Sequence, residues 1–132
     1  MKIVALDYGS ARTGVAVSDP TGTIARPLGV VERAASDAGL QRLAELIREQ
    51  AAERVVVGLP LTLRGERGAQ ARETQAFVEA LRSAVDVPVE SFDERFTTGL
   101  AARMGSDEAP EDARAAAHLL SSYLEWSSAT RK

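Results

Sequence analysis

Cysteine is absent from the 132 residues. That excludes disulfides, zinc-thiolate sites and cysteine nucleophiles, and it is compatible with a reducing compartment. No stretch approaches the ~18 to 20 apolar residues of a membrane-spanning helix. A charged-then-apolar leader is also missing, so the chain is expected to be soluble and cytoplasmic, with no membrane partner. A positive excess is lacking too: 16 basic against 19 acidic residues leave a net charge of -3, so any nucleic-acid role must come from local clustering of charge. Lysine is confined to Lys2 and Lys132. Nearly all positive charge within the domain is therefore guanidinium, which suits bidentate phosphate contacts. The sole histidine, His118, is expected to face water on the last helix without a nucleophile beside it, which argues against a triad. With no internal repeat and no long linker, residues 1–126 are expected to form one domain, with 127–132 as a loose tail.

What is present begins with residues 2–19, KIVALDYGSARTGVAVSD. Residues 3–6 and 15–17 are short apolar, β-branched-rich runs, and the glycine-punctuated segment 8–14 lies between them. The pattern predicts a β-hairpin with Asp7 at its mouth. A strand apolar on both faces is central in a sheet covered by helices on both sides. Asp7 would then end a buried strand, where a carboxylate is costly unless solvent or a cation meets it. A divalent cation is the partner that a hard carboxylate oxygen suits.

Further along, Asp19-Pro20-Thr21-Gly22 carries the residue types of a tight turn. Residues 23–31 read as a third strand, which Pro27 demotes toward a sheet edge. Ser36 can cap a helix running to about Ala52 on Leu40, Leu43, Leu46 and Ile47. Residues 54–58 follow as a buried strand, and 58–73 as a loop with Gly65 and Gly68. A helix with Ala76, Phe77, Ala80 and Leu81 inward precedes a last strand at 87–92. A short helix capped by Thr97 or Thr98 extends to Met104, and Pro110 opens a final helix to about Trp126. Three strands followed by αβαβα give an α/β fold with a five-stranded mixed sheet: an antiparallel meander plus two parallel strands, with helices on both faces.

The C-terminal ends of parallel strands share one edge, where ligands collect. Asp7 ends the first strand there, while Asp93 and Glu94 end the last. On the final helix Asp112 falls with Ala116, Leu119, Leu120, Tyr123 and Trp126 on the inward side, opposite Glu111, Arg114, His118, Ser121 and Glu125. An acid in a first helical turn is also favoured by the macrodipole alone, and in isolation the two readings are even. Its convergence with strand-end acids tips the balance, since like charges so close call for a cation. Both faces of the last strand are buried, so alternation does not choose between Asp93 and Glu94. Asp19 lies at the far end of the second strand, roughly 15 to 20 Å from Asp7, and reads as a turn former. Arg64, Arg67 and Arg72 cluster around the glycine loop and Arg95 follows the acidic pair. They are candidate phosphate ligands, although the loop lacks the spacing and the lysine of a P-loop.

Taken together, ALDYGSARTGVAVSDP, VVVGLPLTLRGERG, FDERFTT and EDARAAAHLLSSYLE resemble the YqgF/RuvX family almost end to end. The resemblance implies an RNase H-like fold and a nuclease that cuts phosphodiester bonds with Mg2+ or Mn2+. The substrate would be precursor 16S rRNA or branched DNA such as a Holliday junction. It carries the metal and catalytic roles onto Asp7, the Asp93-Glu94 pair and Asp112, and it favours Glu94 within the pair. Asp7 would bridge two ions ~3.5 to 4 Å apart, and Glu94 and Asp112 would each complete one of them. Where family members commonly carry a basic stretch before the last helix, this chain has GSDEAPE at 105–111.

Two other functions compete. An actin-like or sugar-kinase ATPase also opens with a DxG hairpin, but it needs a second such domain to enclose the nucleotide. A module that binds nucleic acid or the ribosome without cutting would keep the fold and lose the chemistry. A homodimer would suit symmetric cutting of both strands of a junction, though no interface signature is visible.

Overall fold

The computed structural model describes residues 1–60, 68–93 and 109–130, with side chains through residue 127. Five strands form one sheet in the order β3-β2-β1-β4-β5. β1 (Ile3–Asp7), β2 (Arg12–Ser18) and β3 (Ala25–Glu32) make the expected antiparallel meander. β4 (Arg54–Leu59) lies parallel to β1, and β5 (Val89–Asp93) lies parallel to β4. α1 (Asp37–Glu49) and α2 (Ala69–Ala84) cover one face, and α3 (Glu111–Thr130) covers the other.

Strand alternation sorts the side chains into two cores. Val4, Leu6, Val15, Val17, Val55, Val57 and Val89 point to α1 and α2, together with Leu43, Phe77 and Leu81. Ile3, Ala5, Ala16, Val56 and Phe92 point to α3, where they meet Ala116, Leu120 and Tyr123. The small residues Ala5 and Ala16 let α3 lie close to the sheet centre, and each core excludes water from a full face of the sheet. Arg54 Nη1 donates to the Tyr123 hydroxyl at 2.9 Å, and that hydroxyl donates to Glu90. The network joins β4, β5 and α3.

Several elements depart from the sequence expectation for identifiable reasons. β2 starts at Arg12 rather than at Val15, because Arg12, Thr13 and Gly14 pair with Glu32, Val31 and Val30 of β3; cross-strand hydrogen bonding outweighs their weak apolar signal. Pro27 does lie on an edge strand, next to a register shift opposite Val15 and Ala16. Ser36 caps α1, its hydroxyl accepting from Gly39 N at 3.1 Å, but the helix stops at Glu49, with Ala51 at φ 54° just beyond it. On α2 the inward residues are Ala71, Thr74, Phe77, Val78 and Leu81. Ala76 is exposed and Ala80 half-buried, so the stripe is rotated toward the bulkier Val78. α3 continues to Thr130, past the start of the tail expected at 127. Its packing is broader than one stripe: Ala113, Ala117, Ser121 and Ser122 are buried, whereas Trp126 is 45% exposed. The short helix expected between Thr97 and Met104 lies outside the described residues.

Candidate active site

β1 ends in Asp7, which is paired across the ladder with Gly14 of β2. Opposed residues of adjacent strands project to the same face, and residues two apart along a strand do likewise. Asp7 has the parity of Ile3 and Ala5, so it projects toward α3; Gly14 and Arg12 share the parity of Ala16 and do the same. Tyr8, next in line, goes to the other face, where its ring stacks on Phe77 with centroids 4.5 Å apart. That contact anchors the backbone at the point where Asp7 leaves the strand.

The start of α3 comes down on this spot. A Cβ at Gly14 would lie 1.8 Å from the backbone carbonyl oxygen of Asp112, so the helix reaches β2 only because residue 14 has no side chain. A glycine within a strand often marks such a close backbone approach. Asp112, in the first turn of α3, is thereby brought near Asp7. Burial pushes the Asp7 carboxyl above the usual aspartate range, and the negative charge of Asp112 pushes it further in the same direction. Arg12 Nε meets Asp112 Oδ2 at 3.2 Å. Asp112 therefore has a cationic neighbour, while Asp7 feels burial and a like charge.

The other sequence candidates are placed differently. Asp93 ends β5 opposite Leu59 and has the parity of Val89, that of the α1–α2 face. Glu94, Arg64, Arg67 and Arg95 lie outside the described residues. Arg72 is exposed in the first turn of α2. That turn is tied to the β1–β2 turn by a hydrogen bond from Ser10 Oγ to Glu73 Oε2 at 2.8 Å, so Arg72 sits beside the same end of the hairpin. Asp19 is the turn former expected: its carboxylate accepts from the amides of Thr23 and Ile24, each at 2.8 Å, and from the Thr21 hydroxyl. His118 is half-buried rather than facing water.

Sequence reasoning missed Arg12 and Gly14, both assigned to a turn. The signal was present as a glycine inside a β-branched run, with an arginine two positions before it.

Two converging carboxylates, one of them desolvated and repelled by the other, are a donor set that a hard divalent cation fits. Among the described residues no group of three acids is close enough to hold a metal by itself; Asp7 and Asp112 form a pair. No helix among those residues is long and apolar enough to cross a membrane.

An acid ending the central strand, another opening the last helix and a 3-2-1-4-5 sheet define the RNase H-like class. Thermus thermophilus RuvC, solved in complex with a Holliday junction substrate, has the same fold, with a TM-score of 0.69 over 98% of this chain and 96% of that one at 19% identity. The fowlpox virus resolvase, also solved with Holliday junction DNA, superposes with a TM-score of 0.51 at 12% identity, over 99% of this chain and 98% of that one.

The chain belongs to the RuvX family, described as Holliday junction resolvase, whose model matches residues 1–126. A Chloroflexus aurantiacus protein named "Putative pre-16S rRNA nuclease" is 47% identical over 102 residues, 77% of this chain and 67% of its own length. A Desulforamulus reducens protein of the same name is 36% identical over 95% of this chain and 97% of its own length.

Proposed function

We propose that the protein is a divalent-metal-dependent endonuclease acting on structured nucleic acid, in 5′ maturation of pre-16S rRNA, in Holliday junction resolution, or in both. The observation that carries this reading is the meeting of Asp7 and Asp112 on one face at the end of the central strand, with Asp7 desolvated and under repulsion. Family membership and the names of the relatives support it.

Asp7 and Asp112 would hold Mg2+ or Mn2+, with Asp7 as the ligand shared in a two-ion arrangement. We assign the third carboxylate to Glu94 rather than Asp93. Asp93 has the parity of the opposite face, and the family resemblance favours Glu94 within the pair. A bound divalent ion supplies Lewis-acid stabilisation of the phosphoryl oxygens and acidifies water. The chain's own contribution is to fix the carboxylates on a rigid strand end and a helix start, and to desolvate Asp7. Arg64, Arg67, Arg72 and Arg95 would hold flanking phosphates by bidentate hydrogen bonds. A junction with two scissile strands would engage two copies of the chain, whereas trimming an rRNA end needs one.

The test is product analysis on precursor rRNA and on a four-way junction in Mn2+, with wild type and Asp7→Asn side by side. Wild type should cut and the variant should fall to background while still binding. Cutting by Asp7→Asn at the wild-type rate would refute the site. Binding without cutting by both proteins would leave the non-catalytic module as the function.

A further inference from the structure

We infer that Arg12 is a built-in counter-ion of Asp112 that competes with the metal, so that a divalent cation loads only by displacing its guanidinium. The inference rests on the reading that Asp7 and Asp112 hold metal. Arg12 Nε and Asp112 Oδ2 are 3.2 Å apart, with the two side chains 65% and 35% exposed. An ion pair that open to water adds little to folding stability, so stability is a weak reason for placing an arginine there.

Its position within the site is more telling. Arg12, Gly14 and Asp7 project to the α3 face at the end of the β1–β2 ladder, and Gly14 is what lets the Asp112 backbone come within reach. One carboxylate of the proposed metal pair is thus already engaged by a positive charge. A guanidinium and a metal ion both need the electron pairs of the same oxygen, and their charges repel, so binding of one opposes the other. Displacement does not strand the arginine. Glu32 is its directly opposed partner on β3, and opposed residues share a face. The guanidinium can therefore swing from Asp112 to Glu32 without leaving the rim.

The guanidinium thereby cancels one of the two carboxylate charges in the metal-free protein, and the site becomes selective for an ion that outcompetes a resident monovalent charge. A divalent cation does so more readily than Na+ or K+, because its attraction to the carboxylate pair is about twice as large at equal distance.

The experiment measures Mn2+ affinity by calorimetry, without nucleic acid, on wild type, Arg12→Ala, Arg12→Lys and Asp112→Asn. Removing the competitor in Arg12→Ala should tighten Mn2+ binding by about three- to tenfold, equivalent to about 0.7 to 1.4 kcal/mol. Arg12→Lys, which restores the charge, should return the affinity toward wild type, an outcome that a purely structural role would not produce. Wild type and Arg12→Ala binding Mn2+ equally, with Asp112→Asn weaker, would overturn the competition and leave the metal site standing. No Mn2+ binding by wild type would overturn both.

Discussion

Asp7 is a carboxylate whose usefulness and cost have one origin. Burial and the charge of Asp112 both raise its proton affinity in the folded state. A raised folded-state value means that the native protein holds the proton more tightly than the unfolded chain, so without metal Asp7 lowers stability at neutral pH. That penalty fades as pH falls toward the ordinary aspartate value near 4. Asp7→Asn should therefore melt at a higher temperature than wild type in EDTA at pH 7, with the gap closing toward pH 4, while its cleavage is lost. Thermal denaturation across that range checks both sign and window. Asp19 is the opposite case. Amide and hydroxyl donors from Thr21, Thr23 and Ile24 hold its carboxyl well below the usual range, so its stabilisation is present above pH 4 and lost as pH falls through the depressed value. Asp19→Ala should melt lower than wild type at pH 7, and the difference should shrink in acid. The side chain was legible in sequence as a turn former because its partners are within five residues. For Asp7 the approach of Asp112 was expected from strand order and helix phase, but the Arg12 ion pair and the Gly14 contact beside it were not, because both residues read as part of a turn.

At the level of elements, the decisive contact is α3 against β2. The carbonyl of Asp112 occupies the space that a Cβ on residue 14 would need, and both are backbone, so neither can rotate away. Gly14→Ala must push the helix start outward. We expect a loss of about 1 to 3 kcal/mol, typical of forced overpacking, read from denaturant unfolding, together with a weaker Mn2+ affinity from the displaced Asp112. An unchanged Mn2+ affinity would show that the helix start does not position the carboxylate. Helix periodicity correctly turned Asp112 inward on α3, but it put Ser121 outward and Trp126 inward, against the observed burial. Periodicity describes one helix; burial also depends on the breadth of the surface it meets. α3 rests across β1, β2 and β3, and so it buries more than a single stripe.

For the whole molecule, ligand binding and folding share one free energy. If the carboxylates at the sheet edge hold a metal only in the native state, Mn2+ at a hundredfold excess over its dissociation constant should add about 2.7 kcal/mol. The increment should appear as a higher melting temperature in wild type and be absent in Asp7→Asn; equal shifts in both would place the metal elsewhere. The strand order, the antiparallel meander, the parallel pair and the two helical layers could all be read from apolar runs, breakers and spacing, because those signals act within ten or so residues and chirality limits the ways of joining them. Pro27 at an edge and Ser36 as a cap were equally local. The face on which each acid stands could not be read in that way. Asp7 and Asp93 both read in sequence as ends of covered strands, so their own neighbours look alike, although β5 is an edge strand with Ser91 exposed. Only the pairing of Asp7 with Gly14, and the position of Asp93 opposite Leu59, put the first beside α3 and gave the second the parity of the other face. The same register brought Arg12 to Asp112. A one-residue alternation decides the chemistry, and that alternation becomes meaningful once strands lie side by side.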